Sequence, residues 1–176
     1  MHLVRKAIDF GMEHHKGQVR KVTGIEYFVH CICVYSTVKK YKESKNIVTI
    51  LCAALLHDIL EDTTVTYDEL VNEFTKDIAD LVVEVTNNKE DIAAAGGKTT
   101  YMKDKLLKMS SYALVIKLAD MLDNITDQCE SGTFKRYCIL VQHVEAGREL
   151  SRTHKKIIRE IKDNLEELNV WKEEWK

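Results

Sequence analysis

Four ionisable side chains fall within the six residues His57-Asp58-Ile59-Leu60-Glu61-Asp62, directly behind the apolar run Ala53-Ala54-Leu55-Leu56. On a helix turning about 100° per residue, all four fit inside an arc of roughly 140°. Three carboxylates and an imidazole set against a run apolar enough to be buried are costly unless positive charge joins them. A divalent metal supplies that charge most economically. A second polar group, Lys117, Asp120 and Asn124, is spaced i, i+3 and i+7 along residues 113–125 and so shares one helix face. Apart from Asp123, the rest of that segment is apolar, so the three call for partners, either in a polar groove between helices or in a site. His30 is the one strongly polar side chain in the middle of the apolar stretch 26–35. Alone it reads as a hydrogen-bonded core histidine; it becomes a ligand only if it meets the His57 face.

His30, His57, Asp58 and Asp120 are thus four candidate ligands from three separate helices. Two imidazoles with two carboxylates suit a first-row divalent ion, and the oxygen share leans toward Mn²⁺ or Fe²⁺ over a closed structural Zn²⁺ site. Four protein ligands leave positions open for water and a substrate oxygen. Glu61 and Asp62, one turn further on, could orient or deprotonate that water. Arg20 and Lys21 sit side by side between Gly17 and Gly24, either as solvated charges or as a phosphate clamp. Lys98 follows Gly96-Gly97 and is either a surface lysine or one carried over the site. With Lys117, these cations make a polyphosphate the consistent substrate.

The elements that must position these residues read as helices. Proline is absent from all 176 residues and glycine numbers seven, so breakers are few. An all-α single domain over residues 1–176 is expected, with eight to ten helices around a central buried metal site. Amphipathic or apolar helices are predicted over 2–15, from 26 onward, 47–60 running into the ionisable cluster, 66–74 with a Thr66-x-x-Glu69 capping box, 76–86, 98–109, 111–125, 133–150 and 152–170. Residues 87–97 read as a mobile polar connection, His14-His15 as a polar helix end, and the tail Trp171–Lys176 as free to pack or fray. A net charge of −2 exerts no global pull on nucleic acid, and no apolar run approaches the ~18 residues of a membrane span. Five cysteines without a C-x-x-C argue against a disulfide framework and for a cytoplasmic setting. Oligomeric state is left open.

An early His, a central His-Asp and a late Asp resemble the HD-domain metal phosphohydrolases. The likeness is closer still to the alarmone-hydrolase branch of the RelA/SpoT family, in particular its small stand-alone hydrolases. It rests on Gly17-Gln18-x-Arg20-Lys21, Tyr27-x-x-His30, Ala54-Leu55-Leu56-His57-Asp58-x-x-Glu61-Asp62-Thr63, Val85-Thr86-Asn87-Asn88-Lys89 and Lys117-Leu118-Ala119-Asp120-x-x-x-Asn124. The resemblance implies hydrolysis of the 3′-pyrophosphate of guanosine tetra- or pentaphosphate with Mn²⁺. It also implies metal at His30, His57, Asp58 and Asp120, water served by Glu61 and Asp62, and nucleotide contacts from Arg20, Lys21 and Asn124, with Arg136 as a further phosphate contact. Alternatives are another nucleotide (a dNTP, a nucleoside monophosphate or NADPH) or a non-catalytic nucleotide-binding module. Glu26 and Cys31 stand where family members commonly have proline. Met121 and Asp123 replace the usual basic and His or Tyr residues.

Overall fold

Without proline, the chain keeps its helical hydrogen bonding over long stretches. The computed structural model describes residues 2–126 and 131–168; the tail Trp171–Lys176 lies outside them. Eleven helical segments occur among the described residues: α1 (His2–His14), α2 (Phe28–Tyr41), α3 (Ile47–Leu55), α4 (Ile59–Asp62), α5 (Tyr67–Glu73), α6 (Lys76–Val85), α7 (Lys89–Ala94), α8 (Lys98–Lys108), α9 (Ser111–Thr126), α10 (Ser131–Gly147) and α11 (Arg152–Glu167). Discounting the four-residue α4 and six-residue α7 leaves nine, within the expected eight to ten. The fold is all-α.

The centre is α9, whose residues 113–122 are all buried, Lys117 and Asp120 among them. It packs against α2, α3, α6 and α11, while α3 is enclosed by α1, α2 and α6. Each large aliphatic side chain withdrawn from water here contributes about 1.5–3 kcal/mol, and that framework holds the polar residues in place. Gly11 on α1 lets the helix approach Phe28 at the start of α2: a Cβ there would lie 2.2 Å from the ring. Helix starts follow local chemistry. Thr66 accepts from Glu69 N–H, Thr75 from Ile78 N–H, and Ser110 Oγ from Ala113 N–H.

Two elements differ from the expected ones. The helix read as continuous over 47–60 stops at Leu55 and restarts at Ile59. The cause is local: His57 Nδ1–H donates to Ala54 O at 2.9 Å, taking the carbonyl that a continued helix would offer to Asp58 N–H. Leu56 and Asp58 adopt turn conformations on either side. The supposed loop 87–97 contains α7, started by Asn88, whose side-chain oxygen accepts from Glu90 and Asp91 N–H. His15, read as a polar end, is buried; it pairs through Nδ1 with Gln18 Oε1 and packs against Tyr27 and Phe28.

Candidate metal centre

The interruption after α3 decides what the central cluster looks like. His57 turns fully inward at the break, and Asp58 follows it at 8% exposure. From α2 comes His30 and from α9 comes Asp120. Single ligand atoms of His30, His57 and Asp120 lie within 4.8 Å of one another. Asp58 Oδ2 sits 2.8 Å from His57 Nε2 and 3.7 Å from His30 Nε2, and Asp120 Oδ1 sits 3.3 Å from His30 Nε2. Two imidazoles and the Asp120 carboxylate therefore converge from three elements, and the Asp58 carboxylate lies against both imidazoles.

Both imidazoles are oriented from behind. His57 Nδ1–H is held by the Ala54 carbonyl, and His30 Nδ1–H by Asp123 Oδ2 at 2.6 Å. Each Nε2 is thereby aimed into the cluster, the arrangement that suits a metal-ligating histidine. His57 Nε2 is buried with no aligned hydrogen-bond partner, although Asp58 Oδ2 is close enough in distance alone. A buried ring nitrogen left this way is costly, and a cation accepting its lone pair removes the cost. The donor set and its geometry fit a divalent ion.

Charge in the cluster points the same way. Burial alone would lower the His30 pKa, but hydrogen bonds to Asp120 and Asp123 push it up to about 9. Burial is likewise overcome at His57, where the Asp58 charge pushes the value up to about 10. At Asp58 burial is outweighed by the His57 charge, and at Asp120 by Lys117 and the two imidazoles; both carboxyls are held well below the usual carboxylate range. Without a metal, the carboxylates draw protons onto the imidazoles. That is the same demand for positive charge that a divalent ion meets.

A cleft of about 270 Å³ opens from this point, lined by Tyr27, Glu61, Asp62, Asn87, Lys98, Arg136 and Tyr137 among others. Glu61 Oε2 accepts from both Asn87 N–H at 3.0 Å and Asn87 Nδ2 at 3.1 Å. Asp62 also faces the cleft, its carboxyl pushed up by partial burial and by the charges of Asp58 and Glu61. Arg20 is presented by a tight loop in which Val19 and Glu26 bridge, and its Nη2 donates to Asn124 Oδ1 at 3.1 Å. Asn124 in turn donates to Asp120 Oδ1 at 2.6 Å. Lys117 is buried, its ammonium 2.9 Å from Asp120 Oδ2, so its charge neutralises Asp120. Lys98 and Arg136 line the cleft, whereas Arg20, half-buried, and Lys21, exposed, stand outside its lining.

Three residues with direct roles in this geometry carry no site assignment in the sequence reading. Tyr27 donates its hydroxyl to Asp58 Oδ2 at 2.5 Å, Asn87 holds Glu61, and Asp123 holds His30. Tyr27 and Asp123 each lie three residues from a candidate ligand, one helical turn away, and that spacing is a usable signal. Asn87 follows the end of α6, where no periodicity marks it.

A family model for the HD domain matches residues 7–137. The probable guanosine-3′,5′-bis(diphosphate) 3′-pyrophosphohydrolase of Mycoplasma pneumoniae is 37% identical over 134 residues, which cover 70% of this chain and 18% of that protein. The chain therefore spans under a fifth of that relative's length. The guanosine-3′,5′-bis(diphosphate) 3′-pyrophosphohydrolase MESH1 of Xenopus tropicalis is 31% identical over 131 residues, covering 71% of this chain and 69% of MESH1. Among solved structures, a metazoan SpoT ortholog described as hydrolysing ppGpp superposes with a TM-score of 0.79 at 23% identity. That match covers 97% of this chain and 98% of the other.

Proposed function

This chain belongs to the HD-domain family, and on that footing we propose that it is a metal-dependent guanosine-3′,5′-bis(diphosphate) 3′-pyrophosphohydrolase. The observation that carries the reading is the convergence of His30, His57 and Asp120, with Asp58 against both imidazoles, beside a cleft in which Asn87 restrains Glu61. His30, His57, Asp58 and Asp120 would hold the ion, Mn²⁺ ahead of Fe²⁺ or Zn²⁺. When bound, the ion polarises a phosphoryl oxygen and lowers the pKa of its water.

The protein's own residues do the rest. Glu61, fixed by two donors from Asn87, accepts the proton of the attacking water, with Asp62 beside it. Water adds at the phosphorus next to the ribose, the bond from that phosphorus to the 3′-oxygen breaks, and the 3′-oxygen takes a proton from solvent to leave as a hydroxyl, with diphosphate as the second product and the Glu61 proton returned to solvent. Arg20, Lys98 and Arg136 supply charge for the phosphates, Asn124 braces Arg20, and Lys21 meets the nucleotide from outside the cleft. Lys117 acts on Asp120. The cleft is slightly below the ~300 Å³ lower end for small-molecule sites, so it takes the reacting phosphates while the nucleoside rests at its mouth. The packing of α1 to α11 among the described residues supports a single HD-type domain for the chain, residues 1–176. Among the described residues, the unbridged thiols of Cys31, Cys52 and Cys138 support a reducing, cytoplasmic setting.

The test is a Mn²⁺-supplemented screen of the purified protein against guanosine 3′,5′-bis(diphosphate), dNTPs, a nucleoside monophosphate and NADPH. Release of diphosphate and GDP from the first is expected. Preference for another nucleotide would keep the metal chemistry and replace the substrate, and binding without turnover of any would leave a nucleotide-binding module.

A further inference from the structure

We propose that Asp123 is the positioning residue that holds His30 as a metal ligand and couples that ligand to the Arg20 loop. The inference rests on the metal site proposed above and goes beyond its ligand set. Asp123 lies one turn beyond Asp120 on α9, with 13% of its side chain exposed. Its Oδ2 is 2.6 Å from His30 Nδ1 but 3.8 Å from Arg20 Nη2, so His30 is its principal partner and Arg20 the secondary one.

The two histidines are held differently. His57 donates to a neutral backbone carbonyl, whereas His30 donates to a carboxylate. A carboxylate behind an imidazole fixes the ring and raises the donor strength of the opposite nitrogen more than a carbonyl does. His30 Nε2 faces Asp120 and Asp58, so that strengthening is delivered at the cluster.

Asp123 also closes a ring of contacts. It runs from His30 to Asp123, to Arg20, to Asn124, to Asp120 and back to His30. The loop between α1 and α2 is thereby linked to the centre through α9.

The test is Mn²⁺ affinity of the purified full chain, measured by competition with a fluorescent chelator, for wild type, Asp123→Asn, Asp123→Ala and the surface control Asp80→Asn. Asparagine keeps an acceptor for His30 Nδ1–H and loses the charge; alanine loses both. Weakening of about tenfold for Asp123→Asn and toward about a hundredfold for Asp123→Ala is expected, with Asp80→Asn unchanged. Saturating Mn²⁺ should restore turnover in Asp123→Asn, a rescue that general misfolding would not allow. If Asp123→Ala does not melt cooperatively, Asp123→Asn carries the test alone. One-to-one binding by wild type with unchanged affinity in Asp123→Asn overturns the inference and leaves the metal site standing. A wild-type protein that binds no divalent ion overturns both.

Discussion

Replacing Lys117 with methionine keeps the length of a buried side chain and removes the ammonium beside Asp120. Lys117 is 4% exposed, its Nζ lies 2.9 Å from Asp120 Oδ2, and the surrounding carboxylates hold its pKa above the usual lysine value despite burial. Removing one partner of a buried pair typically costs about 3–5 kcal/mol, because the remaining charge is left uncompensated. Asp120 still receives Asn124 Nδ2 at 2.6 Å and faces His30, so the lower end, about 3 kcal/mol, applies. For a chain of this size that corresponds to a Tm lower by about 6–12 °C in a chelating buffer. A divalent ion brings its own positive charge to Asp120 and no longer meets the Lys117 ammonium, so the gap should narrow in saturating Mn²⁺. Thermal melts of both proteins, with EDTA and with Mn²⁺, measure this. A Lys117→Met protein that melts with wild type in EDTA, or a gap that Mn²⁺ does not reduce, would refute the argument that Lys117 neutralises Asp120.

Four further outcomes are expected. Metal affinity should rise steeply with pH: in the metal-free protein His30 and His57 keep their protons up to about 9 and about 10, and a ligating imidazole must lose its proton, so affinity climbs by up to about two decades per pH unit below pH 9. The raised imidazole values also stabilise the metal-free fold fully below about pH 6.5, and that contribution is lost as pH rises through about 9 to 10, which pH-dependent urea unfolding in EDTA will record. Glu61→Gln should slow turnover by roughly 10²–10⁴-fold with metal content unchanged. Asn87→Ala, which removes one of the two donors to Glu61, should slow it only about tenfold; equal effects from the two would contradict the base assignment. Gly11→Ala should lower the urea midpoint, since a Cβ 2.2 Å from Phe28 must displace the ring; overpacking costs about 1–3 kcal/mol, and alanine's helix advantage returns about 1 at most.

Periodicity and composition carry most of the fold, because α1, α6, α8 and α11 have one apolar face, α9 is apolar nearly all round, and Thr75, Ser110 and Ser151 cap α6, α9 and α11. What periodicity could not reveal is the stop between α3 and α4. Residues 47–56 are apolar but for Thr49, with no break in the pattern, and the helix ends because a side chain, His57, competes with the backbone for Ala54 O. The same competition explains why the one-helix arc drawn through His57, Asp58, Glu61 and Asp62 is replaced by a turn and a new helix. Similarly, α7 depends on an Asn88 cap over only six residues, too short for a periodic signal. In the candidate site, residue type and spacing pointed to His30, His57, Asp58 and Asp120, which the fold brings together. The roles of Tyr27, Asn87 and Asp123 depend on contacts across 31, 26 and 93 residues of chain. Lys117 reads in the sequence both as a residue in need of a partner and as a cation for a polyphosphate; burial beside Asp120 turns its charge onto that carboxylate.

The central claim is that His30, His57, Asp58 and Asp120 hold one divalent ion at the head of the cleft. Anomalous diffraction at the manganese edge from Mn²⁺-soaked crystals tests it most directly. One dominant peak per chain, bounded by His30 Nε2, His57 Nε2 and the carboxylates of Asp58 and Asp120, is the predicted result. A crystal soaked at saturating Mn²⁺ with no peak there, or with its dominant peak elsewhere, would contradict the account.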